Sequence, residues 1–214
     1  LAGFLTAGWE PSEVFARRLI ARTRSSGASI SNYVDRNVTF ALVAEHLQFV
    51  SIGGSPVMVE TGCIRSPEDF GGAGYSTFLF GALFRSLGRG KLYSVELNPK
   101  NCDFARTACR EVSEYVSVQR AHSHDWLSNT DGPQTIDVFY SDSLDTTSPG
   151  HEESCLREVQ LALPRMAADG LILIDDTVRS AGRWVGKGAT AIPWLQSQGW
   201  KILYSGYQAL LSRE

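Results

Sequence analysis

Long apolar runs are missing from this 214-residue chain: the longest, Phe78 to Phe84 and Leu171 to Ile174, fall far short of the roughly 18 residues that a membrane span needs. No membrane partner is expected. An excess of positive charge is missing too. Twenty Lys and Arg stand against 23 Asp and Glu, a formal charge of −3, so no summed field draws phosphate backbones and nucleic acid is not an expected partner. Cysteine is sparse and unpatterned. Cys63, Cys102, Cys109 and Cys155 form no CxxC pair and no zinc spacing with histidine, which reads as four reduced thiols in a cytoplasmic protein. There is no repeat of fixed period and no low-complexity block. The opening Leu1-Ala2-Gly3-Phe4-Leu5 lacks a basic flank and a cleavage pattern, although a chain that starts at Leu can be a trimmed one.

What is there is 43% hydrophobic and 20% charged, a mix that fits one domain over 1–214 with a core of its own and excludes disordered, collagen-like and small disulfide-stapled classes. The pattern predicts a helical prelude over residues 1–52, with helices from Pro11 to about Arg24 and from about Asn37 to Val50. These two helices are expected to cover a substrate pocket, to form a homodimer surface, or simply to pack on a sheet edge. Over residues 53–214, short apolar runs alternate with helix-length segments. Strands are expected at Val57–Glu60, Lys91–Glu96, Val116–Gln119, Ile136–Tyr140 and Leu171–Asp175, with helices at Ser76–Leu87, Pro99 to about Glu114, near Asp125, and Glu152–Met166. That order predicts a doubly wound, Rossmann-like α/β fold with a mainly parallel sheet. The runs Trp200–Tyr204 and Gln208–Leu211 about Gly206 predict a closing antiparallel pair.

In such a sheet, ligands bind beyond the carboxyl ends of the strands. The residues expected there are Glu60-Thr61-Gly62, Glu96, His122-Ser123, Asp142 and Asp175-Asp176, and four of these five positions carry a carboxylate. Gly62, Gly71, Gly72 and Gly74 lead into the helix start at Ser76-Thr77, where glycine lets backbone approach a ligand, or merely turns the chain. Glu96 ends the next strand, where nucleoside sites place an acid on ribose hydroxyls. A glycine loop with such an acid suits a nicotinamide dinucleotide or S-adenosylmethionine. The residues from Cys63 to Gly71 interrupt the tight GxGxxG that a pyrophosphate needs, and Glu60 would repel a pyrophosphate but suit an ammonium and a sulfonium.

The segments Val57–Gly62, Gly72–Thr77, Leu92–Glu96, Ile136–Asp142 and Gly170–Asp176, in this order and spacing, resemble the class I S-adenosylmethionine-dependent methyltransferases. The similarity covers roughly residues 55 to 212 and is closest to the branch of catechol-type and macrolide-sugar O-methyltransferases. It implies that Glu60, Gly62 and Gly74 border the methionine part of the cofactor, and Ser76, at the helix start, is a further candidate cofactor contact. It also implies that Glu96 holds the ribose, that His122 and Ser123 lie beside the adenine, and that Asp142 faces the methyl group.

Asp142, Asp175 and Asp176 follow two neighbouring strands, so three oxygen ligands for Mg²⁺ or a similar divalent ion are expected to converge, unless Asp142 meets the cofactor and the other two cap a loop. In catechol-type relatives the resemblance places two aspartates and an asparagine on a metal, and Asp176 stands where that asparagine would be. The lysine base of those relatives corresponds to Asp145, so a catechol-specific mechanism is not expected. His151, after Ser148-Pro149-Gly150, is a candidate base beside Asp142, or a helix-start residue. Trp184, Gly186, Lys187 and Gly188 are expected in a polar loop, and Trp194, Trp200 and Tyr204 in the core. The expected activity is methyl transfer to a hydroxyl of a small molecule, assisted by a divalent ion. The alternatives are metal-independent N- or O-methylation, or a cofactor-binding or dimerisation module without activity.

Overall fold

A computed structural model describes residues 30–71, 75–129 and 131–213. The helix expected from Pro11, the opening segment and the glycines at positions 72 and 74 lie outside these residues. Helix α1 (Ile30–Gly53) begins earlier than the helix expected from about Asn37. Then follow β1 (Val57–Thr61), α2 (Ser76–Leu87), β2 (Lys91–Glu96), α3 (Pro99–Ala108), β3 (Val116–Arg120), α4 (Ser123–Ser128) and β4 (Ile136–Ser141). After these come α5 (His151–Ala162), β5 (Met166–Ile174), β6 (Thr177–Ser180), β7 (Arg183–Gly186), α6 (Gly188–Ser197), β8 (Lys201–Ser205) and β9 (Ala209–Ser212).

Three expectations change. Helix α3 stops at Ala108 instead of running to about Glu114, because buried Val112 turns inward onto Gly81 of α2, where an added Cβ would lie 2.9 Å from it. Helix α5 ends at Ala162 rather than Met166, since Pro164 has no N–H to continue the helical ladder, and a 3-10 turn over Leu163–Arg165 leads into β5 at Met166. The polar loop expected at Trp184, Gly186, Lys187 and Gly188 is instead the second strand of a β6–β7 hairpin running into α6. The hairpin's turn residues Ala181 and Gly182 have φ of 47° and 79°, the two positive values that a tight hairpin turn requires.

The seven-stranded sheet runs β3-β2-β1-β4-β5-β9-β8, with β1 to β5 parallel and β9 antiparallel to both β5 and β8. The chain steps outward from β1 to β3 and then crosses to β4, so the strand order switches between β1 and β4. Alternate strand residues face opposite layers. Met58, Leu92, Val138, Tyr140 and Leu173 pack under α1 and α2 with Phe40, Leu47, Phe80 and Phe84, whereas Val59, Phe139, Ile172 and Ile174 pack under α5 and α6 with Val159, Ile192 and Leu195. Burying each such side chain contributes about 1.5–3 kcal/mol, so both faces anchor the strands whose ends build the rim. Trp200 is buried as expected, while Trp194 and Tyr204 are half-buried. All four cysteines are buried and free. No helix among the described residues is long and apolar enough to cross a membrane.

Candidate active site

The register fixes a row of residues. Thr61 pairs with Val95 on one side and with Ser141 on the other, and Ser141 pairs with Ile174. The next residue on each strand is therefore Glu96, Gly62, Asp142 and Asp175, side by side at the carboxyl edge. The ladder continues through them: Gly62 N–H donates to the Val95 carbonyl (2.8 Å), Asp142 N–H to Thr61 (3.1 Å) and Asp175 N–H to Ser141 (3.1 Å). With strands about 4.8 Å apart, Glu96 and Asp142 stand two strand spacings from each other, roughly 10 Å, across the switch point.

On the β1–β3 side each polar group has its own local partners. Glu96 accepts the Asn98 N–H (2.7 Å) on one oxygen and the Cys63 thiol (3.7 Å) on the other, and stays partly exposed. His122 caps α4 by accepting the His124 N–H on Nδ1 (3.2 Å), with Ser123 buried behind it. Glu60 is 1% exposed and accepts the Ser76 hydroxyl (2.9 Å), so Ser76 and Glu60 brace one another where α2 starts. Burial pushes the Glu60 carboxyl up to about 7, against the lowering effect of hydroxyls from Thr77, Ser94 and Ser76. Its Oε1 is buried without a partner among the described residues. Gly62, at φ 91°, allows the approach to β4, since a Cβ there would lie 2.6 Å from the Asp142 carbonyl oxygen. Gly74 lies outside the described residues.

On the β4–β5 side the acids crowd together. Asp142, Asp175 and Asp176 each place a carboxylate oxygen within 4.8 Å of the others. Two cations from distant parts of the chain hold them. Arg36 of α1 donates to Asp175 through Nε (3.1 Å) and Nη2 (2.8 Å) and to Asp176 through Nη2 (3.0 Å), with its guanidinium 4.5 Å over the Tyr207 ring. Lys187, placed just after β7, pairs with Asp142 and lies 3.1 Å from Asp176. Gln208 donates to Asp175 (2.9 Å) and to the Tyr140 hydroxyl (3.0 Å), and that hydroxyl donates to Asp142 (3.3 Å). Burial would lift Asp175, but Arg36 outweighs it and holds the carboxyl at about 2. Asp142 is raised well above the usual range, first by burial and then by the charge of Asp175, with Lys187 only partly offsetting.

Lys187 corrects the expectation of a solvated loop: it is 3% exposed. Gly186, at φ 90°, seats it. A Cβ on Gly186 would lie 1.9 Å from the Asp176 carbonyl oxygen, and the Lys187 N–H donates to that same oxygen (3.2 Å). Asp176 itself holds φ 43°, the left-handed region that Asp tolerates better than most residues, and this turns its carboxylate back toward the cluster. His151 opens α5, its Nδ1 paired with the Ser148 carbonyl (2.9 Å). Asp145 is exposed.

Sequence reasoning found the acids but missed Arg36, Lys187, Tyr140 and Gln208. For Lys187 a signal existed in its two flanking glycines; for Arg36 there was none. The divalent ion expected on the three aspartates does not fit this donor arrangement. Each of their six carboxylate oxygens already faces a protein N–H, O–H or ammonium donor.

A family profile described as a methyltransferase domain matches residues 70–177. Among solved structures, an O-methyltransferase from Bacillus cereus in complex with SAH is 15% identical, with TM-score 0.53, covering 96% of this chain and 91% of that one. A SAH-bound methyltransferase from Podospora anserina is 13% identical, with TM-score 0.53, covering 100% and 93%. A Staphylococcus aureus protein named provisionally as a caffeoyl-CoA O-methyltransferase is 14% identical, with TM-score 0.56, covering 93% and 98%. Identities this low speak for the shared fold alone. No curated protein matches the sequence.

Proposed function

The chain belongs to the methyltransferase domain family and is an S-adenosylmethionine-dependent methyltransferase; from that premise we propose that it methylates a hydroxyl group of a small molecule. The observation that carries the reading is the row Glu96, Gly62, Asp142, Asp175 on one rim, with a partly exposed acid on one side of the switch point and the raised carboxyl of Asp142 on the other. The cofactor fits this rim through its ribose, adenine and methionine parts, and supplies an electrophilic sulfonium methyl for in-line displacement. Glu96 accepts the ribose hydroxyls while Asn98 and Cys63 hold its carboxylate in place. His122 and Ser123 border the adenine. Gly62 gives the methionine part close backbone approach, and Gly74 is assigned to the same part; Ser76, at the start of α2, is held on Glu60.

Asp142 takes the hydroxyl proton of the acceptor. A carboxylate at its usual pKa is a poor base near neutral pH, and one lifted by burial and a neighbouring acid is a better one. His151 is the second candidate for that proton. Oxygen as the acceptor atom is supported by the names of the Bacillus cereus and Staphylococcus aureus neighbours.

The test is incubation with S-adenosylmethionine labelled in its methyl group and a panel of phenols, sugars and polyhydroxylated metabolites. Label in a methyl ether, lost in Asp142→Asn and retained in His151→Gln, is expected. Label on nitrogen, or transfer undiminished in Asp142→Asn, overturns the reading. Cofactor binding without any transfer across the panel points to the non-catalytic module instead.

A further inference from the structure

We propose, resting on the methyl-transfer reading above, that this site works without a divalent ion because Lys187 is its built-in cation, holding Asp142 and Asp176 in the arrangement that a metal bridging them would otherwise impose. Three observations carry this. The first is position. Lys187 pairs with Asp142 and stands 3.1 Å from Asp176, so one compact positive charge bridges carboxylates from two different strand ends.

The second is burial. The Lys187 side chain is 4% exposed, whereas those of Asp142 and Asp176 keep 23% and 18%, so the ammonium lies beneath carboxylates that still border the open rim. A charge that buried persists only where it is paired, and an ion entering the same place would have to expel it.

The third is that the backbone is shaped for it. Gly186 at φ 90° approaches the Asp176 carbonyl more closely than any side chain permits, and Gly188 N–H is fixed on the Thr177 hydroxyl (2.8 Å), so the lysine is clamped from both sides. Arg36 completes the neutralisation from α1, engaging Asp175 and Asp176 together. A divalent ion added to the intact cluster would meet two resident cations and compete with a donor at every carboxylate oxygen. Lys187 is on this account a positioning residue, acting through Asp142.

Mn²⁺ alone is the probe, followed by electron paramagnetic resonance and calorimetry, so the outcome does not depend on knowing the acceptor. The wild-type chain is expected to bind no Mn²⁺ at millimolar concentration, and its S-adenosylmethionine affinity to be unchanged by a chelator. Lys187→Met is expected to bind one Mn²⁺ per chain, and Lys187→Arg, which keeps the charge, to bind none. Adding Asp142→Asn to Lys187→Met is expected to abolish the binding gained. The proposal is overturned if wild type binds one Mn²⁺ that Asp142→Asn removes, or if folded Lys187→Met gains no binding. Should Lys187→Met not fold, Lys187→Gln and the wild-type titration decide in the same way. Failure of hydroxyl methylation would show in the label assay and leave these titrations interpretable.

Discussion

The two halves of the rim handle the same chemical problem, a carboxylate at a strand end, in opposite ways. Between β1 and β3, Glu60 and Glu96 stand apart and are served by groups close in sequence or on the adjoining strand and helix: Asn98 N–H, Cys63, Ser76. Between β4 and β5, three aspartates are packed within 4.8 Å and are stabilised by cations that reach in from α1 and from the hairpin. The first half is a binding edge whose acids are held by local partners. The second is a charged network whose geometry depends on distant segments being folded.

That contrast is most exposed to a break at Arg36. Arg36→Met leaves Asp175 buried without its partner and is expected to cost about 3–5 kcal/mol of unfolding free energy by urea denaturation, as for other broken buried pairs. A loss below about 1 kcal/mol would place the pair among surface ion pairs and erase the difference between the halves.

Glu60 and Asp175 should tilt stability with pH in opposite directions. Glu60, raised from 4.5 to about 7, contributes stability that is full below its unfolded pKa and lost as pH rises through about 7. Asp175, lowered from 3.8 to about 2, contributes stability that is full above its unfolded pKa and lost as pH falls through about 2. At about 1.4 kcal/mol per pKa unit these amount to roughly 3 and 2 kcal/mol. Denaturation midpoints across pH should therefore fall on the alkaline side in wild type and fall less steeply there in Glu60→Gln, the raised carboxyl of Asp142 keeping part of the slope, while the acid limb is unchanged by that substitution. A Glu60→Gln profile parallel to wild type would remove Glu60 from the account.

Gly186→Ala is expected to destabilise by about 1–3 kcal/mol, because it combines a positive φ with a backbone clash. Equal stability would mean that the hairpin does not clamp Lys187. Smallest in its effect on folding is Glu96→Ala: stability within about 0.5 kcal/mol of wild type, but S-adenosylmethionine affinity reduced about 10- to 100-fold by calorimetry, the worth of one or two charge-assisted hydrogen bonds. Unaltered affinity would remove the ribose assignment.

The strand-end acids were legible because an α/β alternation is written locally, in apolar runs followed by polar punctuation, and each acid sits directly after its run. So were the antiparallel close at β8 and β9 and the helix from Ser76. The countercharges were not legible. Arg36 lies 139 residues from Asp175 in a polar helical turn without any motif, and Lys187 sat in a glycine-rich stretch that composition alone reads as solvated. Pairing across such distances is decided by the topology that lays α1 over the sheet and folds the hairpin back. A local pattern reports where a charge begins, not what neutralises it.

The claim that both halves serve one reaction is met most directly by a crystal structure of the chain with S-adenosylhomocysteine bound. The expected result places the ribose hydroxyls on Glu96 and the sulfur on the Asp142 side of Gly62, with Lys187 still paired to Asp142. A ligand bound away from this rim, or one whose ribose leaves Glu96 unengaged, would contradict it.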